Sequence, residues 1–189
     1  RTLTSEKFNV LSKILDLGCG YGPLGIALKN VYQSCIVHMV DRDALALDYS
    51  RQNAELNNVK DIKIYGSLGY DDVTEKDFDL IVSNIPAKAG EPVISHMLKD
   101  ARFHLQPGGR VAVVVIDAIG EYVAGVLADR GINILFRKSW PGHIVFHYEF
   151  SSDITLIPTP MRSAFDGGMY NRNKEVISLE ALSIPIRTT

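Results

Sequence analysis

The 189-residue sequence predicts an α/β protein: a doubly wound sheet of seven strands, mostly parallel with one antiparallel strand, with helices on both faces. Two observations carry that prediction. Short apolar runs alternate with helix-period segments from Lys13 to Arg130, the pattern of strands joined by crossovers. Then Ile132–Lys138 and Ile144–Phe150 are separated only by SWPGH, too short for a parallel crossover, so this last pair is antiparallel.

Lys13–Leu17 reads as a buried strand and Pro23–Asn30 as a helix opened by its proline. Cys35–Val40 is the second strand, ended by Asp41. A helix over Ala44–Asn57 follows, with Ala44, Leu47, Asp48, Arg51 and Ala54 on one stripe. Ile62–Tyr65 is a third strand before the turn-rich GSLGYDD, and Phe78–Ser83 a fourth. Pro92–Phe103 reads as a helix closed by Gln106-Pro107-Gly108-Gly109. Arg110–Ile116 is almost unbroken valine, as in a parallel strand covered on both faces. Glu121–Arg130 is a helix stopped by Gly131.

Residues 152–189 carry no such alternation and read as an arm or an oligomer contact rather than a domain. The chain opens on Arg1 in mid-pattern, which reads as a piece of a longer protein.

A net charge of −2 gives no overall electrostatic footprint for nucleic acid. Two cysteines, Cys19 and Cys35, make neither a disulfide framework nor a metal set, and suit a reducing, cytoplasmic setting. No apolar run is long enough to span a membrane, and no signal peptide is evident. His143 and His147 share a strand face without a third ligand, so no metal is expected.

In ILDLGCGYGPLGIAL, Gly18, Gly20 and Gly22 break an apolar run at the end of the first strand, where doubly wound sheets bind ligands. A dinucleotide fingerprint fits Gly20, Gly22 and Gly25, with Asp41 as a ribose-binding acid, but it starts two residues late. A phosphate loop lacks its Lys-Ser/Thr ending. Asp16 weighs against both: a carboxylate inside the strand repels pyrophosphate and favours an ammonium or a sulfonium. At the end of the second strand, a carboxylate wants two donors, and a cis-diol supplies them to Asp41.

DLGCGYG resembles the first motif of class I S-adenosylmethionine-dependent methyltransferases, a likeness covering Ile14 to Phe150. It implies a Rossmann-like domain over residues 1–151 that takes S-adenosyl-L-methionine, with residues 152–189 as a C-terminal extension. It further implies that the backbone of Gly18, Cys19, Gly20 and Gly22 approaches the methionine and ribose, and that Asp16 serves the methionine ammonium. Asp41 would take the ribose hydroxyls, with Arg42 beside it at the cofactor. Ser67 and Leu68 stand where the family grips adenine; a plain turn explains their side chains equally well.

The fourth strand runs into Ser83-Asn84-Ile85-Pro86-Ala87, which resembles the [DN]-P-P-[FYW] motif of methyltransferases acting on planar nitrogens. With DFDLIVSNIPAKAG around it, the chain is similar to the methyltransferase small domain, including ribosomal RNA guanine-N2 methyltransferases. An exocyclic amine has its lone pair delocalised into the ring. Acceptors for its two hydrogens localise that pair and aim it, so Asn84 and the Ile85 carbonyl are the expected acceptors, with Pro86 fixing the turn and Asn84 also facing the cofactor.

Two departures matter. Ile85 replaces the first proline, which predicts a less rigid loop, and Ala87 replaces the aromatic that would stack on a target base. Phe165 or Tyr170 would be a substitute. Lys88 is either a phosphate contact or a solvated lysine. RNA guanine is thus the first expected acceptor. A protein glutamine or a small-molecule amine suits the same loop, a cofactor-binding domain with weak or no catalysis suits the departures, and a nucleotide-dependent oxidoreductase suits only the shifted glycines. The oligomeric state is not legible.

Overall fold

The computed structural model describes residues 11–151. The extension expected over 152–189, with Phe165, Tyr170, Met161 and Met169, lies outside the described residues.

In chain order the elements are β1 (Lys13–Leu17), α1 (Pro23–Val31), β2 (Ile36–Asp41), α2 (Ala44–Leu56), β3 (Ile62–Gly66), β4 (Phe78–Asn84), α3 (Glu91–Lys99), β5 (Leu105–Ile116), α4 (Asp117–Leu127), β6 (Ile132–Trp140) and β7 (His143–Phe150). One seven-stranded sheet runs β3-β2-β1-β4-β5-β7-β6. β7 is antiparallel to both β5 and β6, and the other pairings are parallel. The predicted fold class is therefore the observed one.

Alternation along the strands divides the core into two. Leu15, Leu17, Ile81, Val113 and Phe146 pack with Val93, Ile94 and Leu98 of α3 and Val123 and Leu127 of α4. On the opposite face Ile14, Val37, Met39 and Leu80 pack with Ile26 and Leu28 of α1 and Leu47 and Ala54 of α2. Each such buried aliphatic side chain stabilises the fold by roughly 1.5–3 kcal/mol over an exposed one.

Several boundaries differ from the sequence reading. The helix expected over Pro92–Phe103 ends at Lys99 and tightens into a 3-10 turn over Asp100–Phe103. Gln106–Gly109, expected as a turn, lies within β5 as an irregularity: Phe78 pairs with Leu105, and Leu80 with Arg110. Finally, α4 runs Asp117–Leu127, not Glu121–Arg130, and β6 continues to Trp140, so that only Pro141 and Gly142 join it to β7. Between β3 and β4 no helix intervenes; the connection buries Tyr70 and Val73 instead.

The chain leaves β1 in one direction to β2 and β3, and returns to β4 on its other side. That reversal opens a crevice between the carboxyl ends of β1 and β4. Registers set what stands there. Asp16 pairs with Val82, so Gly18 and Asn84 come next on adjacent strands. Leu17 pairs with Val40, bringing Asp41 beside Gly18, and Asp41 pairs with Gly66.

Candidate active site

The glycine loop is held from below. Gly18 and Cys19 both donate their N–H to the Val40 carbonyl at 2.9 Å, which ties the loop to β2. Ser50 of α2 donates its hydroxyl to the Gly20 carbonyl at 2.7 Å, and Asn53 donates its amide to the Tyr21 carbonyl at 2.8 Å. Gly18 and Gly20 adopt φ of +70° and +56°, with nothing within 4 Å of where a Cβ would stand. Their exposed side is therefore open to a ligand. Gly22 and Gly25 face inward: a Cβ on either would overlap Met39, so these two glycines let α1 pack on β2.

Asp16 is buried, 1% exposed. Its Oδ2 accepts the N–H of Gly25 at 2.7 Å, inside the first turn of α1, where the helix dipole favours a negative charge. Its Oδ1 has no partner among the described residues. Burial lifts the carboxyl from 3.8 to about 7; the Gly25 bond pulls it back in part, and the Asp41 charge adds to the rise. A cation presented to Oδ1 would restore the anion. Asp41 accepts from Gly20 N–H at 2.9 Å through Oδ2 and from Asp43 N–H at 3.0 Å through Oδ1. Each oxygen keeps a second lone pair for a further donor.

Cys19 is buried beside Ser50, and burial first, then the Asp16 charge, pushes its thiol up to about 12. It carries no thiolate near neutrality and packs the loop. The Arg42 side chain is exposed. Ser67 donates its backbone N–H to the Asp41 carbonyl at 3.0 Å, while its hydroxyl donates to the Gly69 carbonyl at 2.7 Å and accepts from Asp72 N–H at 3.1 Å. That hydroxyl closes the turn, and Leu68 is half-buried against the α3–α4 face.

At the end of β4, Ser83 donates its hydroxyl to the Leu17 carbonyl at 2.7 Å, fixing β4 against β1. The Asn84 side chain is exposed and makes no hydrogen bond to a described residue. Ile85 is buried, and its N–H donates to the Val114 carbonyl at 2.9 Å, so the expected loss of rigidity is offset by a strand bond that a proline cannot make. Pro86 is exposed and accepts from Ala89 N–H at 2.9 Å in a short 3-10 turn; Lys88 in that turn is solvated. His143 is exposed and His147 buried.

The structure thus brings Asp16, Gly18, Gly20, Asp41, Ser67 and Asn84 to one edge. The sequence reading missed Ser50 and Met39 as parts of this site, and took Gly25 only as the end of a dinucleotide fingerprint. A serine on the inner stripe of α2, between Leu47 and Ala54, was the one available signal for Ser50.

The open floor over Gly18 and Gly20, the unpartnered buried oxygen of Asp16 and the spare lone pairs of Asp41 fit an adenosyl-methionine ligand, with its ammonium and its ribose diol. A doubly wound sheet so equipped is a class I S-adenosylmethionine-dependent methyltransferase domain. The chain belongs to the methyltransferase small domain family, whose model matches residues 2–127.

Among curated relatives, it is 34% identical over 111 residues to the uncharacterized protein YbxB of Bacillus subtilis, covering 58% of this chain and 55% of that one. It is 36% identical over 122 residues to ribosomal RNA large subunit methyltransferase G of Shewanella loihica, covering 58% of this chain and 30% of that one. Between 30% and 55% of these two relatives' length is therefore spanned. The ribosomal protein L11 methylase of Lactobacillus delbrueckii subsp. bulgaricus shares the fold, with a TM-score of 0.69 at 22% identity, over 79% of this chain and 76% of that one. Among the described residues no helix is long and apolar enough to cross a membrane, and no group of His, Cys, Asp or Glu gathers to hold a metal.

Proposed function

We propose that this domain methylates a planar or exocyclic amine nitrogen, with a guanine of ribosomal RNA as the acceptor. The observation that carries the reading is Asn84, an exposed amide without a partner among the described residues, one residue beyond the last β4 side chain anchored to β1 and level with the open glycine floor. Its relatives that are named as ribosomal RNA methyltransferases support RNA as the substrate class.

Bound S-adenosylmethionine supplies an electrophilic methyl: the sulfur–carbon bond breaks as the nitrogen–carbon bond forms, its electron pair staying on sulfur as a thioether. The chain's part is orientation. Asn84 Oδ1 accepts one amine hydrogen and the Ile85 carbonyl the other, directing the lone pair at the donor. No strong base is required, because the nitrogen turns acidic once alkylated and releases its proton to water. Asp41 would take the ribose hydroxyls, and Asp16 Oδ1 would serve the ammonium. The Gly18–Gly22 backbone would line the donor, with Cys19 as packing.

A tritiated-methyl transfer assay against total RNA and total protein from cells lacking the gene tests this. Label in ribosomal RNA, recovered as a methylated guanine nucleoside after digestion, is expected. Label confined to protein would replace the acceptor with a protein glutamine or similar amide, which the same loop chemistry would serve.

A further inference from the structure

The tip of the β6–β7 hairpin lies on the same carboxyl edge as the crevice. Asn84 pairs with Val114, Ile116 with His143, and His143 with Trp140, so the edge continues outward from the site across three strands. On it stand Ile116, 45% exposed, the exposed His143 and Lys138, and the half-buried Trp140. The Trp140 and His143 rings stack at 5.8 Å between centroids and 13° between planes. Lys138 Nζ sits 4.8 Å from the Trp140 ring centroid.

The tip is rigid. Gly142 donates its N–H to Asp117 Oδ2 at 3.1 Å, and Asp117 returns its own N–H to the Gly142 carbonyl at 3.2 Å. A clamped turn presenting an aromatic pair with a cation beside it is pre-organised for a ligand with flat rings and negative charge. From β4 to β6 is three strand spacings, about 14 Å, a length that about four stacked nucleotides cover. A single small amine cannot touch both ends; a polynucleotide can.

We propose that His143, Trp140 and Lys138 form a docking surface for the single-stranded RNA flanking the acceptor base. This rests on RNA being the substrate, and it supplies remotely the stacking that Ala87 does not give.

Trp140 is the chain's single tryptophan, so intrinsic tryptophan fluorescence reports this surface alone. The full chain, titrated with a single-stranded RNA of about eight nucleotides, is expected to show quenching that weakens as salt rises. His143→Ala and Lys138→Glu should each raise the KM for RNA about tenfold, with kcat and S-adenosylhomocysteine affinity unchanged. Trp140→Phe, which keeps a ring, should change the KM less than Trp140→Ala.

RNA methylation with no quenching and wild-type KM in these variants would overturn the docking surface and leave the substrate reading standing. Quenching by RNA that is never methylated would remove the substrate reading, and with it the surface's role in presenting an acceptor base. Equal quenching by duplex RNA, or quenching only by a protein substrate, would overturn the surface.

Discussion

Replacing Asp16 by asparagine separates the two jobs of that carboxyl. In the wild-type protein burial raises it from 3.8 to about 7, and a group whose folded pKa is raised contributes stability present at low pH and lost as pH rises. The ligand-free chain should therefore lose stability between about pH 4 and 7, by at most about 4 kcal/mol at roughly 1.4 kcal/mol per unit. In Asp16→Asn there is no ionisation to lose. The new amide oxygen still accepts from Gly25, but its NH₂ stands where Oδ1 had no partner, costing about 1–3 kcal/mol. At pH 8 the net gain is about 2 kcal/mol, a rise in Tm of about 4–8 °C, vanishing or reversing at pH 5.

Ligand binding should move the other way. An ammonium at Oδ1 selects the ionised carboxylate, so wild-type affinity for S-adenosylhomocysteine rises about tenfold from pH 6 to pH 8, with proton release at the lower pH. The asparagine variant should bind about tenfold to a hundredfold more weakly at pH 8 and show no such slope. Thermal scans and calorimetry in two buffers of different ionisation enthalpy measure both effects. A variant that binds like wild type would refute the assignment of Oδ1 to the cation, and one that keeps the wild-type fall of Tm with pH would refute the buried ionisation of Asp16 as its cause.

Four further substitutions divide the site. Asp41→Ala removes the acceptor of Gly20 and Asp43 N–H together with the expected diol partner, and should weaken S-adenosylhomocysteine at least about tenfold by calorimetry; intact affinity would refute the ribose role. Asn84→Ala should lower kcat at least about tenfold and spare that affinity, as expected of an orienting group; unchanged turnover would remove it from catalysis. Gly18→Ala should cost about 1–2 kcal/mol for its left-handed backbone and chiefly reduce cofactor binding. By contrast, Gly22→Ala adds an overlap with Met39 and should unfold at distinctly lower denaturant. Equal denaturation midpoints for the pair would contradict this division between open and packed glycines.

What the sequence conceals follows from what only packing decides. Asp16 was legible because a charge inside an apolar strand is costly and so stands out. The first turn of α4 was not, because Gly120 is a poor helix former. It lies in the helix because a Cβ there would come within 2.5 Å of Ile144 Cδ1, so close approach to β7 outweighs propensity. Likewise Gln106-Pro107-Gly108-Gly109 has turn chemistry, yet the pairing of Leu105 with Phe78 carries the segment into β5. Met39 and Ser50 look like ordinary strand and helix residues. Their work, backing two glycines and holding the Gly20 carbonyl, exists only once α1 and α2 meet β2.

Ile85 shows how a departure from a motif is absorbed. Position 85 lies just beyond β4, 3% exposed, and its N–H reaches Val114 at 2.9 Å. A proline has neither that donor nor the same bulk. Ile85→Pro, which restores the motif seen in planar-nitrogen methyltransferases, should lose about 1 kcal/mol for the bond and about 1 kcal/mol for the buried side chain. For a chain of this size that is a fall in Tm of about 4–8 °C. The stiffer proline backbone holds Asn84 in the extended region it already occupies as a strand residue, so kcat per folded molecule should stay within about threefold of wild type. A variant with unchanged Tm would show that the Val114 bond does not hold the loop. One with normal stability and abolished turnover would mean that the loop depends on the isoleucine for its shape around the acceptor.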